Sequence, residues 1–400
     1  MLALADSTAH RTGLLRRPLR PEALVAAARR RSGLHEFGDT DFLDPLQRLL
    51  RACHEEADLS LVGRIATRWD VVRFLGNLLR LHHEEQRAPA ILGQPIERPI
   101  FITGLPRSGT TFLHRLLLED PANRAPRVWQ TIEPYPPARR RDDRKRRVAR
   151  QLRAFEGLAP EFRALHPLEA ESPQECSEIT AHAFRSLRFD TTYRIPSYRH
   201  WLDQAGHLAA YRLHRRFLQH LQFQEPDARP AARWVLKCPD HLFALDTLRA
   251  VYPDARLVFV HRDPVKVLLS VAKLTEVLRQ PFTRRQDPQE IGRQESARWL
   301  EGTRRMMAVG DDAGLPEPVH HVHYAGLTAD PVGTVAGLYR HFGLALAPAV
   351  TDAIARFARK SPNGGYGPRN YRFEDHGLHA DAEREKFQTY IERFSIECGR

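Results

Sequence analysis

The stretch Pro99-Ile100-Phe101-Ile102-Thr103-Gly104-Leu105-Pro106-Arg107-Ser108-Gly109-Thr110-Thr111-Phe112-Leu113 constrains the fold more than any other part of the chain. Its apolar start reads as a buried parallel strand. A Gly/Pro/Ser loop ending in two threonines follows, and the amphipathic segment from Phe112 to Leu118 reads as a helix. Strand, glycine loop and helix N-terminus together predict a phosphate cradle. The helix dipole favours an anion there, and Gly104 and Gly109 let the backbone come close.

The spacing from Gly104 to Gly109 is that of the nucleotide-triphosphatase P-loop, but the lysine position holds Thr110 and a cation appears inside the loop at Arg107. A P-loop lysine reaches the outer phosphates while the neighbouring hydroxyl holds magnesium. Two hydroxyls and an arginine suit a smaller phosphate without an essential metal. A plain glycine-containing βα turn would explain an isolated glycine pattern; the flanking strand, the Pro-Arg-Ser-Gly-Thr-Thr run and the helix speak against it here.

The same strand-then-helix pattern recurs later. Trp234-Val235-Leu236 is a short apolar strand ending in Lys237-Cys238-Pro239-Asp240-His241, with Asp240 placed to cap a helix running to about Tyr252. Arg256 to Val260 is another strand, ending in His261-Arg262-Asp263-Pro264, where Pro264 suits a first helical position. Val319 to Tyr324 is a further strand, followed by a helix from Pro331 to Phe342. Apolar strands alternating with amphipathic helices predict an α/β fold with a parallel sheet flanked by helices. Ligands of such sheets bind at the carboxyl ends of the strands, and Arg107, Lys237 and Arg262 each lie just past one.

Residues 1–95 read as a helical N-terminal extension packed on the main domain. Leu46, Leu49, Leu50 and Cys53 form one helical stripe, and Ile65, Trp69, Val72, Leu75 and Leu79 another. Residues 96–400 read as the α/β domain, with an acceptor-side helical insertion at about 130–230. That insertion holds a basic run from Arg139 to Arg153, which reads as an exposed helix face because no aromatic residue interleaves with its arginines. It also holds Phe184, Phe189, Tyr193, Tyr198 and Trp201, which suit either an acceptor pocket or an ordinary helical core.

The formal net charge of +12 predicts attraction to polyanions without choosing among nucleotides, nucleic acids, acidic glycans and anionic membranes. The four cysteines are scattered with no metal-ligand spacing, which points to a reducing compartment. No apolar run approaches the ~18 residues of a membrane span, and the first residues lack a secretory pattern. A cytoplasmic enzyme is the expectation.

These separated motifs together resemble a sulfotransferase using 3′-phosphoadenosine 5′-phosphosulfate (PAPS), of the broad prokaryotic type with a P-loop-like fold. Pro106-Arg107-Ser108-Gly109-Thr110-Thr111 is similar to that family's 5′-phosphosulfate loop, though many members carry lysine where Arg107 stands. His261-Arg262-Asp263-Pro264, with Ser270 eight residues after the arginine, resembles its 3′-phosphate motif. Trp234 to Leu242 resembles the strand and turn that bear its lysine and histidine. Gly364 to Leu378, with Arg369 and Tyr371, resembles its C-terminal closing segment. Tyr324-Ala325-Gly326-Leu327 lacks the acidic residues the family pattern has after that tyrosine. The matches run from about 99 to 378, leaving the first ninety residues without a recognised motif.

The resemblance implies sulfuryl transfer from PAPS to a hydroxyl or amine, with no metal. Arg107, Ser108, Gly109, Thr110 and Thr111 would hold the 5′-phosphosulfate, and Arg262, Ser270 and Arg369 the 3′-phosphate. Lys237 and Arg107 would offset charge on the leaving oxygen. A general base is also required. His241 is the first choice because an imidazole with an unperturbed pKa of ~6.5 suits neutral pH; Glu171 or Glu175 is the alternative, and His261 serves orientation only. The acceptor is a small molecule, lipid or glycan, no nucleic acid partner is expected, and a homo-oligomer stays open. The competing readings are a P-loop-type kinase or nucleotide hydrolase, and a non-catalytic anion- or nucleic-acid-binding protein.

Overall fold

A computed structural model describes residues 6–7, 10–13, 15, 17–136, 142–158, 169–225, 232–309, 318–360 and 372–398. The chain divides into two compact units: residues 1–95, 126–225 and 275–286 form the first, and residues 96–125, 226–274 and 287–400 the second.

The second unit is an α/β structure. Strands β1 (Ile100–Gly104), β2 (Asn123–Arg124), β3 (Arg233–Lys237), β4 (Arg256–His261) and β5 (His320–His323) form a parallel sheet in the order β2-β3-β1-β4-β5. Every residue of β1 and β4 is buried, as continuous apolar strands covered on both faces should be. On one face Ile100, Ile102, Val235, Val258, Val260 and Val322 pack with Leu113, Leu116 and Leu117 of the helix Thr110–Leu117. On the other, Phe101 meets the rings of His241 and Tyr252, each with centroids 5.1 Å away. Because β1 has β3 on one side and β4 on the other, the strand order reverses at β1, and its carboxyl end opens on a crevice suited to a ligand.

One expected element is broken in two. The residues after β3 do not run as a single helix from Asp240 to Tyr252. Pro239–Phe243 is a 3₁₀ turn, and the α-helix is Leu245–Val251 with Ala244 at its N-cap. Phe243 is anchored beside Trp299, with the Arg298 guanidinium 3.3 Å from its ring centroid, and the chain changes direction at Ala244.

The described part of the first unit is helical. The 27-residue helix Leu61–Arg87 begins where the Ser60 hydroxyl accepts from the Gly63 N–H at 3.0 Å. Leu46, Leu49, Leu50 and Cys53 are all buried, as their spacing predicts. In the second stripe the structure departs from the expectation. Val72, Leu75 and Leu79 are buried, but Ile65 is 61% and Trp69 37% exposed. The inward face of that part of the helix is taken by Gly63, Thr67, Asp70 and Val71, because the buried Asp70 must meet Arg73 and Arg188 at 2.8 Å each. Glu178 completes this network at 2.7 Å from Arg73 and 2.8 Å from Arg188. Removing one partner of such a buried network typically costs about 3–5 kcal/mol, since a charge is left uncompensated.

Phe184, Phe189, Tyr193 and Tyr198 are nearly fully buried: Phe184 and Phe189 pack on each other and on Phe74, Tyr198 meets Phe189, and Tyr193 meets Phe282, so these four serve as a helical core. Of the basic run, residues 139–141 lie outside the described residues. The rest falls mostly in the helix Arg144–Leu158, where Arg144 bonds to Asp142 and Arg147 to Glu133 and Asp143. Lys145, Arg146, Arg150 and Arg153 are exposed.

Candidate active site

The loop after β1 has a backbone that its glycines permit and one arginine resists. Gly104 has φ 147°, and a Cβ there would lie 2.3 Å from the Val260 carbonyl oxygen on the neighbouring strand. Gly109 has φ 98°, and its Cβ would meet the Tyr324 ring at 2.8 Å. Arg107 adopts φ 63°, the left-handed region that disfavours a side chain. The Ser108 N–H donates to the Leu105 carbonyl at 3.3 Å, and the helix Thr110–Leu117 starts with Leu113 N–H donating to the Gly109 carbonyl at 3.0 Å. The N–H groups of a helix's first turn have no intrahelical acceptor and attract an anion.

The strained residue is held at both ends. The Arg107 Nε donates to the Ser270 hydroxyl at 3.1 Å, and its carbonyl accepts from Arg262 Nη1 at 2.5 Å. Ser270 is fully buried on the helix Pro264–Arg279, whose start is capped by Asp263 Oδ1 accepting from Val265 N–H at 3.0 Å. Lys237, buried at the end of β3, donates from Nζ to the Thr111 hydroxyl at 3.1 Å. Within the second unit, then, direct bonds join Arg107, Arg262 and Ser270 into one group, and Lys237 and Thr111 form a second pair at the start of the helix that follows the loop. The Ser108 hydroxyl is buried there with no hydrogen-bond partner among the described residues, which fits a loop built to meet an anionic group. The donor set is cationic and hydroxylic throughout, as a nucleotide phosphate requires.

His241 follows on the 3₁₀ turn after Lys237. It is fully buried, with its ring edge-on to Phe101. Glu171 and Glu175 belong to the first unit. There Glu171 is exposed and pairs with Lys145 at 2.6 Å, while Glu175 is half-buried at the N-cap of the short helix Cys176–Thr180. Arg369 and Tyr371 lie outside the described residues.

Two features beside Arg262 escaped the sequence reading. The Arg262 guanidinium lies 4.0 Å from the ring centroid of Tyr324, a cation–π contact. The register explains it: His261 pairs with His323, so Arg262 and Tyr324 are the matching residues just past adjacent strand ends. The rule that singled out Arg107, Lys237 and Arg262 would have found Tyr324 as well. The second feature is a chain behind Arg262. His261 Nδ1 is 3.0 Å from the Tyr390 hydroxyl and its Nε2 is 2.8 Å from His321 Nδ1. Burial, and then the nearby His321 and His323, push the His261 pKa down to about 2, so the imidazole stays neutral. No local pattern links residue 261 to residue 390, so this contact was invisible in sequence.

The sulfotransferase family model matches residues 99–348, more than half of the chain. The chain belongs to the sulfotransferase family.

Solved relatives agree with that membership. Sulfotransferase STF1 from Mycobacterium tuberculosis H37Rv is 31% identical with a TM-score of 0.81, over 93% of this chain and 99% of its own. Sulfotransferase STF9 from Mycobacterium avium is 27% identical with a TM-score of 0.84, over 95% and 98%. Among curated relatives, the omega-hydroxy-beta-dihydromenaquinone-9 sulfotransferase Stf3 of Mycobacterium bovis is 26% identical over 277 residues, 64% of this chain. The match spans 65% of that relative's length. The parallel sheet of this chain, with its P-loop-like cradle and flanking helices, is therefore the fold that the sequence predicted.

Proposed function

We propose that this sulfotransferase moves a sulfuryl group from PAPS to the hydroxyl of an acceptor by in-line displacement. The observation that carries the reading is the bonded set around the loop. Arg262 and Ser270, the residues expected for a 3′-phosphate, are tied to Arg107 of the 5′-phosphosulfate loop. A donor with phosphates at both 3′ and 5′ positions matches two linked cationic sites. A nucleoside triphosphate would call for the P-loop lysine, whose place is taken by Thr110.

When bound, PAPS supplies the sulfuryl group and a phosphate leaving oxygen. Ser108, Gly109, Thr110 and Thr111 hold the 5′ end through loop N–H groups and hydroxyls. Lys237 and Arg107 offset the negative charge that grows on the leaving side, a preorganised electrostatic role. Arg262 and Ser270 hold the 3′-phosphate, and Arg369 is proposed to add a third contact. His241 takes the acceptor's proton on a ring nitrogen, from a position four residues beyond Lys237; Glu171 and Glu175 are the alternative bases. Tyr324 supports Arg262 through the cation–π contact of its ring. Sulfonate carries less negative charge than a phosphoryl group, so these cations suffice without a metal.

The acceptor is proposed to be a small molecule presenting a hydroxyl. Support comes from the Stf3 relative, whose name specifies a hydroxylated menaquinone derivative. Calorimetric titration tests the donor. Tight binding of 3′,5′-ADP without metal is expected, and binding of ATP only in the presence of magnesium would replace this reading with a P-loop-type kinase.

A further inference from the structure

The exposed part of the helix Leu61–Arg87 carries a pattern that the donor site does not use. Leu61, Ile65 and Trp69 recur every four residues and so form one column on the helix. Ile65 is the most exposed large apolar side chain of the described residues, and Trp69 is exposed as well. Arg64 and Arg68 form a second column alongside, again at a spacing of four. Arg17 adds charge at the same place: after burial, its proximity is the second cause that lowers the Arg64 pKa. From Leu61 to Arg80 the helix contains a single acid, Asp70, which is turned inward onto Arg73 and Arg188. Of the acids before the start of the helix, Asp6 and Asp58 are both engaged by Arg284, Glu56 accepts from the Ser197 N–H, and the exposed Glu55 ends the preceding helix. This face therefore presents isoleucine, tryptophan and arginine to solvent with no exposed carboxylate among them.

We propose that the face formed by Ile65, Trp69, Arg64 and Arg68 docks the protein on an anionic lipid bilayer. Tryptophan and arginine are the side chains that settle at the level of lipid headgroups, where an indole body is apolar and its N–H is wet. A basic column beside an apolar one is the pattern of a helix lying in the bilayer interface, and the chain's net charge of +12 adds long-range attraction to an acidic surface. Two apolar side chains make too small a patch for a stable protein interface, which takes about 800 Å² on each partner. They are enough to anchor a surface already held by charge. No helix among the described residues is long and apolar enough to cross a membrane, so the association is peripheral.

The test is co-sedimentation of the full chain with vesicles of equimolar phosphatidylcholine and phosphatidylglycerol, and with pure phosphatidylcholine vesicles. The wild-type protein should bind the anionic vesicles, bind the neutral ones far less, and lose affinity as salt rises. The double variant Ile65→Asp/Trp69→Asp and the double variant Arg64→Glu/Arg68→Glu should each weaken binding about tenfold or more. Tryptophan emission supplies a readout that needs no disruptive change: the difference between wild type and Trp69→Phe should shift to the blue when anionic vesicles are added. Failure of the wild type to bind anionic vesicles overturns the proposal. So does unchanged binding by the Ile65→Asp/Trp69→Asp variant, or an emission difference that vesicles do not move. A self-association abolished by the same variants, without vesicle binding, would assign the face to a second copy of the chain and likewise overturn it.

Discussion

The guanidinium of Arg262 donates to the backbone carbonyl of Arg107 at 2.5 Å, across 155 positions of sequence. The bond joins the turn after β4 to the loop after β1, two neighbouring strands of the sheet. It means that the two anion-binding segments expected from sequence are one mechanical unit. Arg107 sits at φ 63°, and its backbone carbonyl and side chain are held by Arg262 and Ser270.

Arg262→Ala should weaken 3′,5′-ADP binding roughly 10- to 100-fold, the worth of a charge-assisted hydrogen-bond pair, while 5′-AMP binding changes by only about twofold. Calorimetry with both nucleotides measures the difference. Equal losses for the two would show that Arg262 acts on the loop rather than on a 3′-phosphate.

Tyr324→Leu should cost 3′,5′-ADP affinity several-fold, in line with a cation–π contact of about 0.5–2 kcal/mol, and leave 5′-AMP nearly unaffected. Tyr324→Phe, which keeps the ring, should bind like the wild type. A phenylalanine variant as weak as the leucine one would assign the role to the hydroxyl instead.

Gly109→Ala should destabilise the protein by about 1–3 kcal/mol, because φ 98° strains any side chain and the new methyl would press on the Tyr324 ring. Combining it with Tyr324→Ala relieves the crowding but not the backbone strain, so only part of the loss should return. Chemical denaturation of the two single variants and the double variant reads both terms.

His241→Ala should lower turnover about 100-fold or more while leaving 3′,5′-ADP affinity nearly intact, as loss of a general base does. Steady-state rates with any accepted hydroxyl compound, together with nucleotide titration, decide it. Near-normal turnover would move the role to Glu171 or Glu175, and single Glu→Gln variants would then separate those two.

Acid should destabilise the fold through its buried histidines. Burial first, then nearby arginine charge, pushes His182 down to about 3; burial alone does the same to His214; and His261 is down at about 2. Each is neutral in the folded protein but takes up a proton when unfolded below the ordinary value near 6.5. The unfolded state then binds more protons, so stability falls as pH drops below about 6.5 and keeps falling towards the folded values. With three such groups the slope approaches roughly 4 kcal/mol per pH unit between about pH 5.5 and pH 4. Urea unfolding across that range checks it, and His214→Phe should flatten the slope by about a third. A flat stability profile would mean that these imidazoles take up protons in the folded state too.

The sequence by itself determined the parallel sheet, the glycine cradle and the three cations at strand ends. Those features are local: an apolar run, a turn and a helix start are written in adjacent residues, and strand ends place their following residues at a common edge. Tertiary structure decided what those residues touch. The support of Arg262 by Tyr324 depends on the register of β4 with β5, and the bond from Arg262 to the Arg107 carbonyl depends on β1 lying beside β4. Neither pairing leaves a trace in local spacing. The same holds for Ile65 and Trp69, whose periodicity matches a buried stripe. They face solvent because Asp70, on the adjoining side of the helix, has two arginines to meet inside, and only the packed structure shows where those arginines are.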